Sequence, residues 1–279
     1  MDTDLLKTFL EVSRTRHFGK AAENLYLTRS AVSFRVKQLE GILGVELFER
    51  LRNNIHPTPA GERLLGHAEA VLTAWERAKQ DISLSQNHTT QLTLAAGHNI
   101  WDAYLQQHLQ PLHLGLPGAA LRAEILTSTI MTRQLIERTL DIAITFEPPK
   151  LDEVEIVQLA QIELSLVSDK PHASLQEAQQ QAYIKVDWGT AFNIMHAQEF
   201  SLLPVPVLHT SSARIALDFL LNNGGSAFLP NALIIQALSD KKLNLVQGVQ
   251  SIKRTLYAAY LGKSERLLQI EQAIRLLSN

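Results

Sequence analysis

Between Thr28 and Lys37 the chain reads Thr-Arg-Ser-Ala-Val-Ser-Phe-Arg-Val-Lys. Wound as an α-helix, this stretch places Val32, Val36 and Leu39 on one face, and Arg29, Ser30, Ser33, Phe34 and Lys37 on the other. The second set has the chemistry to read duplex DNA. Arg29, near the helix start, can meet a guanine edge with two parallel hydrogen bonds. Ser30 and Ser33 are short enough to approach base edges or phosphates, and Phe34 can pack on a thymine methyl. Thr28 and the free N–H groups of the first turn can hold a phosphate oxygen. Arg50 and Arg52 flank a later turn and would meet phosphates or the minor groove. Arg35 falls near the edge of the packed face and is the weaker candidate.

Charge distribution agrees. The whole chain of 279 residues carries a net charge of −2. Between Arg14 and Lys37, however, six basic residues (Arg14, Arg16, Lys20, Arg29, Arg35, Lys37) face one acid, Glu23. A local positive patch on a near-neutral protein suits a DNA-binding module joined to something else. Charge alone would equally describe a solvated surface, and so would each residue taken singly. The combination is what points to DNA.

Those side chains need elements to hold them. Leu5, Leu6, Phe9, Leu10 and Val12 predict a helix over 4–14. His17-Phe18-Gly19 breaks it, and a short helix over 18–25 packs through Ala21, Ala22 and Leu25. Tyr26-Leu27 makes the turn, Thr28 is an N-cap residue, and Gly44 ends the third helix. Two short helices with a tight turn, the second one exposing the reading face, form a helix-turn-helix. Residues 45–58 look extended, with Arg52-Asn53-Asn54 as the turn of a β-hairpin wing. Thr58 and Pro59 open a long helix. Along it Leu64, Ala68, Val71, Trp75, Ala78 and Ile82 recur in steps of 4, 3, 4, 3 and 4. Such a heptad seam favours pairing with a second helix; the alternative is packing on its own domain. The polar run 83–90 reads as a hinge.

From Gln91 onward strands alternate with helices. Strands are expected at 92–97, 121–126, 140–145, 164–167, 182–186, 205–209 and 227–229, with helices at 100–114, 132–138 and 213–222. The alternation predicts a largely parallel sheet.

Several chemistries find no footing. There is no cysteine, so disulfides and thiolate metal sites are excluded. The chain has no P-loop, no Gly-x-Gly-x-x-Gly, no His-Glu-x-x-His and no Gly-x-Ser-x-Gly. His108 and His113 are five apart and do not share a helix face closely enough for a metal pair. Asp141 and Glu147 are six apart across a strand end, without an evident acid/base partner. No catalytic residue, cofactor or metal is expected. No signal peptide is visible, and the most apolar run, 227–238, is broken by Pro230, Asn231 and Gln236. These features predict a cytoplasmic protein without a membrane partner.

Residues 1 to about 65 resemble the DNA-binding domain of the LysR-type transcriptional regulators. The resemblance is carried by Leu6, Phe9, Phe18, Ala21-Ala22, Leu25, Thr28, Ser30-Ala31-Val32-Ser33, Lys37, Leu39-Glu40, Leu43-Gly44, Leu47-Phe48, Arg50, Thr58 and Ala60-Gly61. The segments 1–28 and SAVSFRVKQLE are particularly similar to a member linked to the flagellar master operon. The family usually carries Gln where this chain has Arg29, a principal base reader, so a different base preference is implied there. Pro57-Thr58 stands where Leu-Thr is usual. Residues 91–279 resemble the family's effector domain more loosely, through Leu140-Asp141-Ile142-Ala143-Ile144, Gly224-Gly225 and Phe228-Leu229-Pro230.

The resemblance implies an α+β multidomain architecture. A winged helix-turn-helix over 1–58 precedes a linker and dimerisation helix with hinge over 59–90. A two-lobed α/β effector domain resembling periplasmic binding proteins follows over 91–279, with lobe I near 91–160 and 258–279 and lobe II near 161–257. In such folds ligands sit at strand C-termini between lobes. Candidate pocket residues are then His98, Asn99, Trp101, Thr127, Ser128, Thr129, Thr145, Phe146, Thr210 and Ser211, whose hydroxyls suit a small anionic effector; helix capping is the alternative role. Implied partners are promoter DNA, a second copy within a dimer or a dimer-of-dimers tetramer, and RNA polymerase. The function implied is effector-modulated transcriptional regulation, with flagellar and motility genes as candidate targets. The alternative is a small-molecule-binding or architectural protein without effector-controlled DNA activity.

Overall fold

Leu5, Leu6, Phe9 and Val12, with Thr8 beside them, are the residues that the first helix, α1 (Thr3–Thr15), buries. The computed structural model describes residues 2–51, 54–82, 90–171, 173–200 and 203–278. The chain divides into two compact units, 1–83 and 84–279.

In the first unit α1 ends at Arg16, in the left-handed region at φ 52°. The next residue caps the following helix, α2 (Phe18–Asn24): His17 Nδ1 accepts from the Gly19 and Lys20 amides, both at 3.1 Å. The third helix, α3 (Arg29–Leu43), starts at Thr28 and stops at Gly44, φ 71°. Strands β1 (Phe48–Leu51) and β2 (Asn54–Pro57) form the antiparallel wing. The long α4 (Pro59–Ile82) follows Thr58, whose Oγ1 accepts from Gly61 N at 3.1 Å and donates to Glu46 O. Gly61 has to be glycine, because a Cβ there would lie 2.3 Å from Leu47 O. One core joins these helices. It includes Phe9, Phe18, Val32, Val36, Leu39, Phe48 and Ala68.

The second unit is built on β3 (Thr90–Ala96). A helical run follows: α5 (His98–Ile100), a π-helical turn (Trp101–Leu105) and α6 (Gln106–Gly115). Next come β4 (Ala119–Ile125), α7 (Ser128–Ile136), β5 (Ile142–Thr145) and the long β6 (Val154–Ser168). After them lie α8 (Leu175–Ala178), β7 (Tyr183–Val186), α9 (Thr190–Glu199), β8 (Leu208–Thr210) and α10 (Ala213–Asn223). The chain closes with β9 (Ser226–Pro230), α11 (Asn231–Ser239), β10 (Asn244–Leu245), β11 (Ile252–Leu261) and α12 (Leu267–Leu277).

Among the described residues, the nine strands of this unit form one sheet of order β4-β3-β5-β11-β6-β9-β7-β8, with β10 added on β6. The expectation of a largely parallel sheet is corrected here. The two ends, β4/β3/β5 and β9/β7/β8, are parallel, but the middle is antiparallel through β11 and β6. The alternating β/α pattern accounts for the ends alone. Residues 154–164 and 252–261 pair with each other across four intervening helices, and no local pattern announces it in the sequence. Within that pair Leu256 faces Ala160 and Tyr257 faces Gln158, so Leu159 is a bulged extra residue. Helix α7 starts at Ser128, four residues before the expected 132, because Thr127 is its extended N-cap. Thr90, expected in the hinge, is already strand and pairs with Ala119. The rest of the expected hinge, 83–89, lies outside the described residues.

Candidate nucleic-acid interface and effector cleft

The N-terminal unit presents α3 as a two-faced rod. Val32, Val36 and Leu39 are buried to 0, 3 and 2 % exposure and hold it on α1 and α2. Thr28 Oγ1 caps the helix by accepting from Ala31 N at 3.2 Å and lies 3.0 Å from Ser30 Oγ. Arg29, Ser30 and Lys37 are exposed, as is Phe34 at 68 %. Ser33 is half-buried, and with Lys37 it lines a hollow of about 340 Å³ against Phe18, Glu40, Phe48 and the start of the wing. Arg35 turns inward to Asp4 (3.4 Å) and the Thr8 hydroxyl, fastening α3 to α1. Arg50 lies on β1, its backbone paired with Ile55; its side chain, and all of Arg52, lie outside the described residues.

Sequence reasoning missed Tyr26. It is 96 % exposed in the turn before α3, held at φ 54°. A left-handed tyrosine is a costly turn residue, and nothing in the local pattern marks it.

The heptad seam divides. Ala68 is buried, and Leu64 packs beside it on the unit's own core with Leu65 and Leu72. Val71, Trp75 and Ile82 stay exposed, at 39, 49 and 86 %, and Ala78 is half-buried. Packing on its own domain therefore claims the first half of the seam.

In the C-terminal unit a cleft of about 420 Å³ opens where the parallel strands end. His98 and Asn99 follow β3, Thr127 and Ser128 follow β4, and Thr145, Phe146 and Glu147 close β5. Asp187, Trp188 and Gly189 follow β7, and Ser211 follows β8. The carboxyl ends of a parallel sheet form such a crevice because helix N-termini and loops converge there. Asn99 spans it: its Nδ2 donates to Asp187 O (3.3 Å) and its Oδ1 accepts from Ala213 N (2.8 Å).

Three expected pocket residues fall outside this lining. Trp101 enters the π-helical turn, and its Nε1 donates to Glu124 O at 2.9 Å. Thr129 lies one residue beyond the mouth, exposed on α7. Thr210 Oγ1 accepts from Ser212 N, and its carbonyl from Asp187 N, so it shapes the loop instead. Sequence reasoning passed over the apolar lining, such as Ile100, Met131 and Trp188, and the charged groups Glu147 and Asp187. Asp187 Oδ1 accepts from Gly189 N (3.0 Å) and Asn193 Nδ2 (3.2 Å). Behind Phe146, Arg254 lies with its guanidinium 4.9 Å from that ring and 3.7 Å from Glu147 Oε1.

Residues 3–62 match the model of the bacterial regulatory helix-turn-helix proteins of the LysR family, and residues 85–279 match the LysR substrate binding domain. The chain belongs to the LysR family. It is a LysR-type DNA-binding transcriptional regulator with an effector-binding domain. The chain is similar to the HTH-type transcriptional regulator HdfR of Yersinia enterocolitica, 44 % identical over 99 % of this chain and 96 % of that one. The HdfR of Yersinia pestis is 43 % identical with the same coverage. Among solved structures, CbnR, a LysR family transcriptional regulator, superposes with a TM-score of 0.77 at 18 % identity, over 100 % of both chains. DarR of Vibrio fischeri, in complex with DNA, gives 0.61 at 24 % identity, over 100 % of this chain and 99 % of that one. At those identities the likeness is one of fold.

In this LysR-type regulator the two carboxylates without an evident partner both meet arginines. Asp141, buried, accepts from Thr93 N at 2.8 Å and pairs with Arg266 at 3.3 Å. Glu147 pairs with Arg254. Among the described residues no helix is long and apolar enough to cross a membrane, and no cluster of three His, Asp or Glu could hold a metal.

Proposed function

We propose that this regulator reads its operator through Thr28, Arg29, Ser30, Ser33, Phe34 and Lys37, with Arg50 and Arg52 of the wing at the backbone. The observation that carries the reading is the outward face of α3. It combines a cation, two hydroxyls and an aromatic ring in the first turns of a helix whose other face is fully buried. Val71, Trp75 and Ile82 are the part of the seam left for a second copy, so the operator should hold two related half-sites. Dimers pair further into tetramers. The organisation is a reading domain to residue 58, a pairing helix and hinge to 90, and two lobes that meet near the bulge at Leu159.

The cleft binds a small anionic effector through binding chemistry, not catalysis. His98, Asn99, Thr127, Ser128, Thr145, Phe146 and Ser211 stand at its walls. Effector binding shifts the populations of lobe arrangements and thereby the spacing of paired reading domains. The protein works in the cytoplasm at promoters where RNA polymerase is the next partner. Flagellar and motility promoters are the first to test.

A gel-shift series on the mapped operator tests the reading. Arg29→Ala should lower affinity by about 1–3 kcal/mol and relax preference at one base pair. Unchanged affinity and preference would remove Arg29 as a reader. Equal binding to operator and random duplex across ordinary salt would remove the whole proposal.

A further inference from the structure

Arg254 lies just behind the cleft wall, against its lining residues Phe146, Glu147 and Gly189. Its side chain is only 10 % exposed, and its buried Nε and Nη2 have no hydrogen-bond partner among the described residues. The nearest anion, Glu147 Oε1, stands at 3.7 Å, beyond hydrogen-bonding reach. Arg214 and Asp102 in the same unit meet at 2.7 Å. The same Glu147 oxygen accepts from Ala191 N at 3.3 Å, in the first turn of the ten-residue α9. One carboxylate thus lies loosely over two things that attract anions, a buried guanidinium and a helix N-terminus.

The approach is kept open by Gly189. At φ 92° it occupies a conformation suited to glycine, and a Cβ there would come within 3.0 Å of Glu147 Oε1 and 3.3 Å of Arg254 Nη2. Burial lowers the Arg254 pKa from its usual value, with Glu147 opposing the shift. A buried guanidinium with unmet donors gains most from a flat acceptor that can take two N–H bonds at once.

We propose that Glu147 is a resident stand-in, occupying an anion site made by Arg254 and the α9 N-terminus that a small organic acid takes over by displacing it. The acid's carboxylate meets Arg254, and its apolar body lies along Phe146, Trp188 and Ile100, which line the cleft. Glu147 follows β5, whereas Ala191 opens α9 beyond β7. The displaced contact is therefore a tie across the cleft, and its exchange is how ligand binding reaches the arrangement of the two sides. This rests on the reading of the cleft as an effector site and names its chemistry.

Calorimetric titration of the full-length chain tests it with butyrate and benzoate as probes and neutral butyramide as the isostere without charge. Glu147→Gln keeps shape and removes the competing charge. It should bind butyrate at least ten-fold more tightly than the unaltered protein, with butyramide unaffected, and Arg254→Lys added to it should abolish the gain. The comparison of butyrate with butyramide on Glu147→Gln decides the matter even if the lysine variant does not fold. Equal butyrate affinity with and without Glu147→Gln overturns the stand-in. If neutral or cationic compounds still raise the melting temperature, the cleft remains an effector site of other chemistry. If no small molecule of any charge binds, the effector reading falls as well.

Discussion

The cations on the outer face of α3 and those beside the C-terminal cleft and sheet are placed in opposite ways, although Arg35 of the first unit also turns inward to Asp4. In the N-terminal unit Arg29 and Lys37 point outward and make no ion pair among the described residues. In the C-terminal unit the largely buried Arg254 and Arg266 each lie against a carboxylate of the same chain, Glu147 and Asp141. An outward cation leaves its counter-charge to be supplied by a polyanion, and its attraction is screened by salt. An inward cation is fixed by local geometry and responds to whatever can replace its partner. The first unit leaves these cations open to a polyanion, and the second holds its cations against carboxylates of its own.

Breaking the inward arrangement gives the largest expected effect. Asp141→Ala removes the acceptor of Thr93 N and the partner of Arg266 in a buried setting. It should cost about 3 kcal/mol of stability, read as a lowered urea midpoint, and added salt should not abolish the loss. A midpoint that does not move would mean that the pair adds nothing to the sheet.

Arg29→Ala should leave the urea midpoint unchanged, because its side chain is exposed. The same variant should weaken operator binding by about 1–3 kcal/mol, and Lys37→Ala should flatten the salt dependence of affinity by about one unit of slope. A stability loss in Arg29→Ala comparable to that of Asp141→Ala would erase the contrast between the units. Thr28→Ala stands between the two classes. It loses the cap on Ala31 N and should cost about 1 kcal/mol of stability as well as affinity for DNA.

The smallest effect is a pH slope. His196 is buried beside Tyr183, 2.6 Å from its hydroxyl, among Phe192, Phe200 and Phe228. Burial first, and then the charge of Lys185, lower its pKa from the usual 6.5. Unfolded chains then take up a proton that the folded one refuses. Stability attributable to this group is full above that value and declines as pH falls below it. Urea midpoints measured between pH 7.5 and 5.5 should fall, and His196→Gln should flatten the fall. An identical slope in that variant would assign the dependence to other groups.

The expectations read from the sequence failed where contacts are distant. α1, α2 and α3 follow from local periodicity and from caps within three residues, as at His17, Thr28 and Gly44. The pairing of β6 with β11 joins residues 88 to 107 positions apart, and no short window of sequence contains both strands. Arg254 went unnoticed for the same reason: it borders the cleft only because β11 crosses the middle of the sheet. Trp101 was misassigned because a π-helical turn rotates its ring toward Glu124, which the helical pattern of 100–114 does not reveal.

The chain's own order of residues determined α3, its caps and its exposed cations, because each of these depends on neighbours within a turn or two. It also determined the family, through residue types spaced along the first sixty positions. Tertiary structure alone decided which half of the α4 seam is buried, which hydroxyls reach the cleft, and that Arg254 and Glu147 meet behind Phe146. Those outcomes depend on where separate strands and helices come to rest against one another, and side-chain burial and charge pairing are properties of that arrangement.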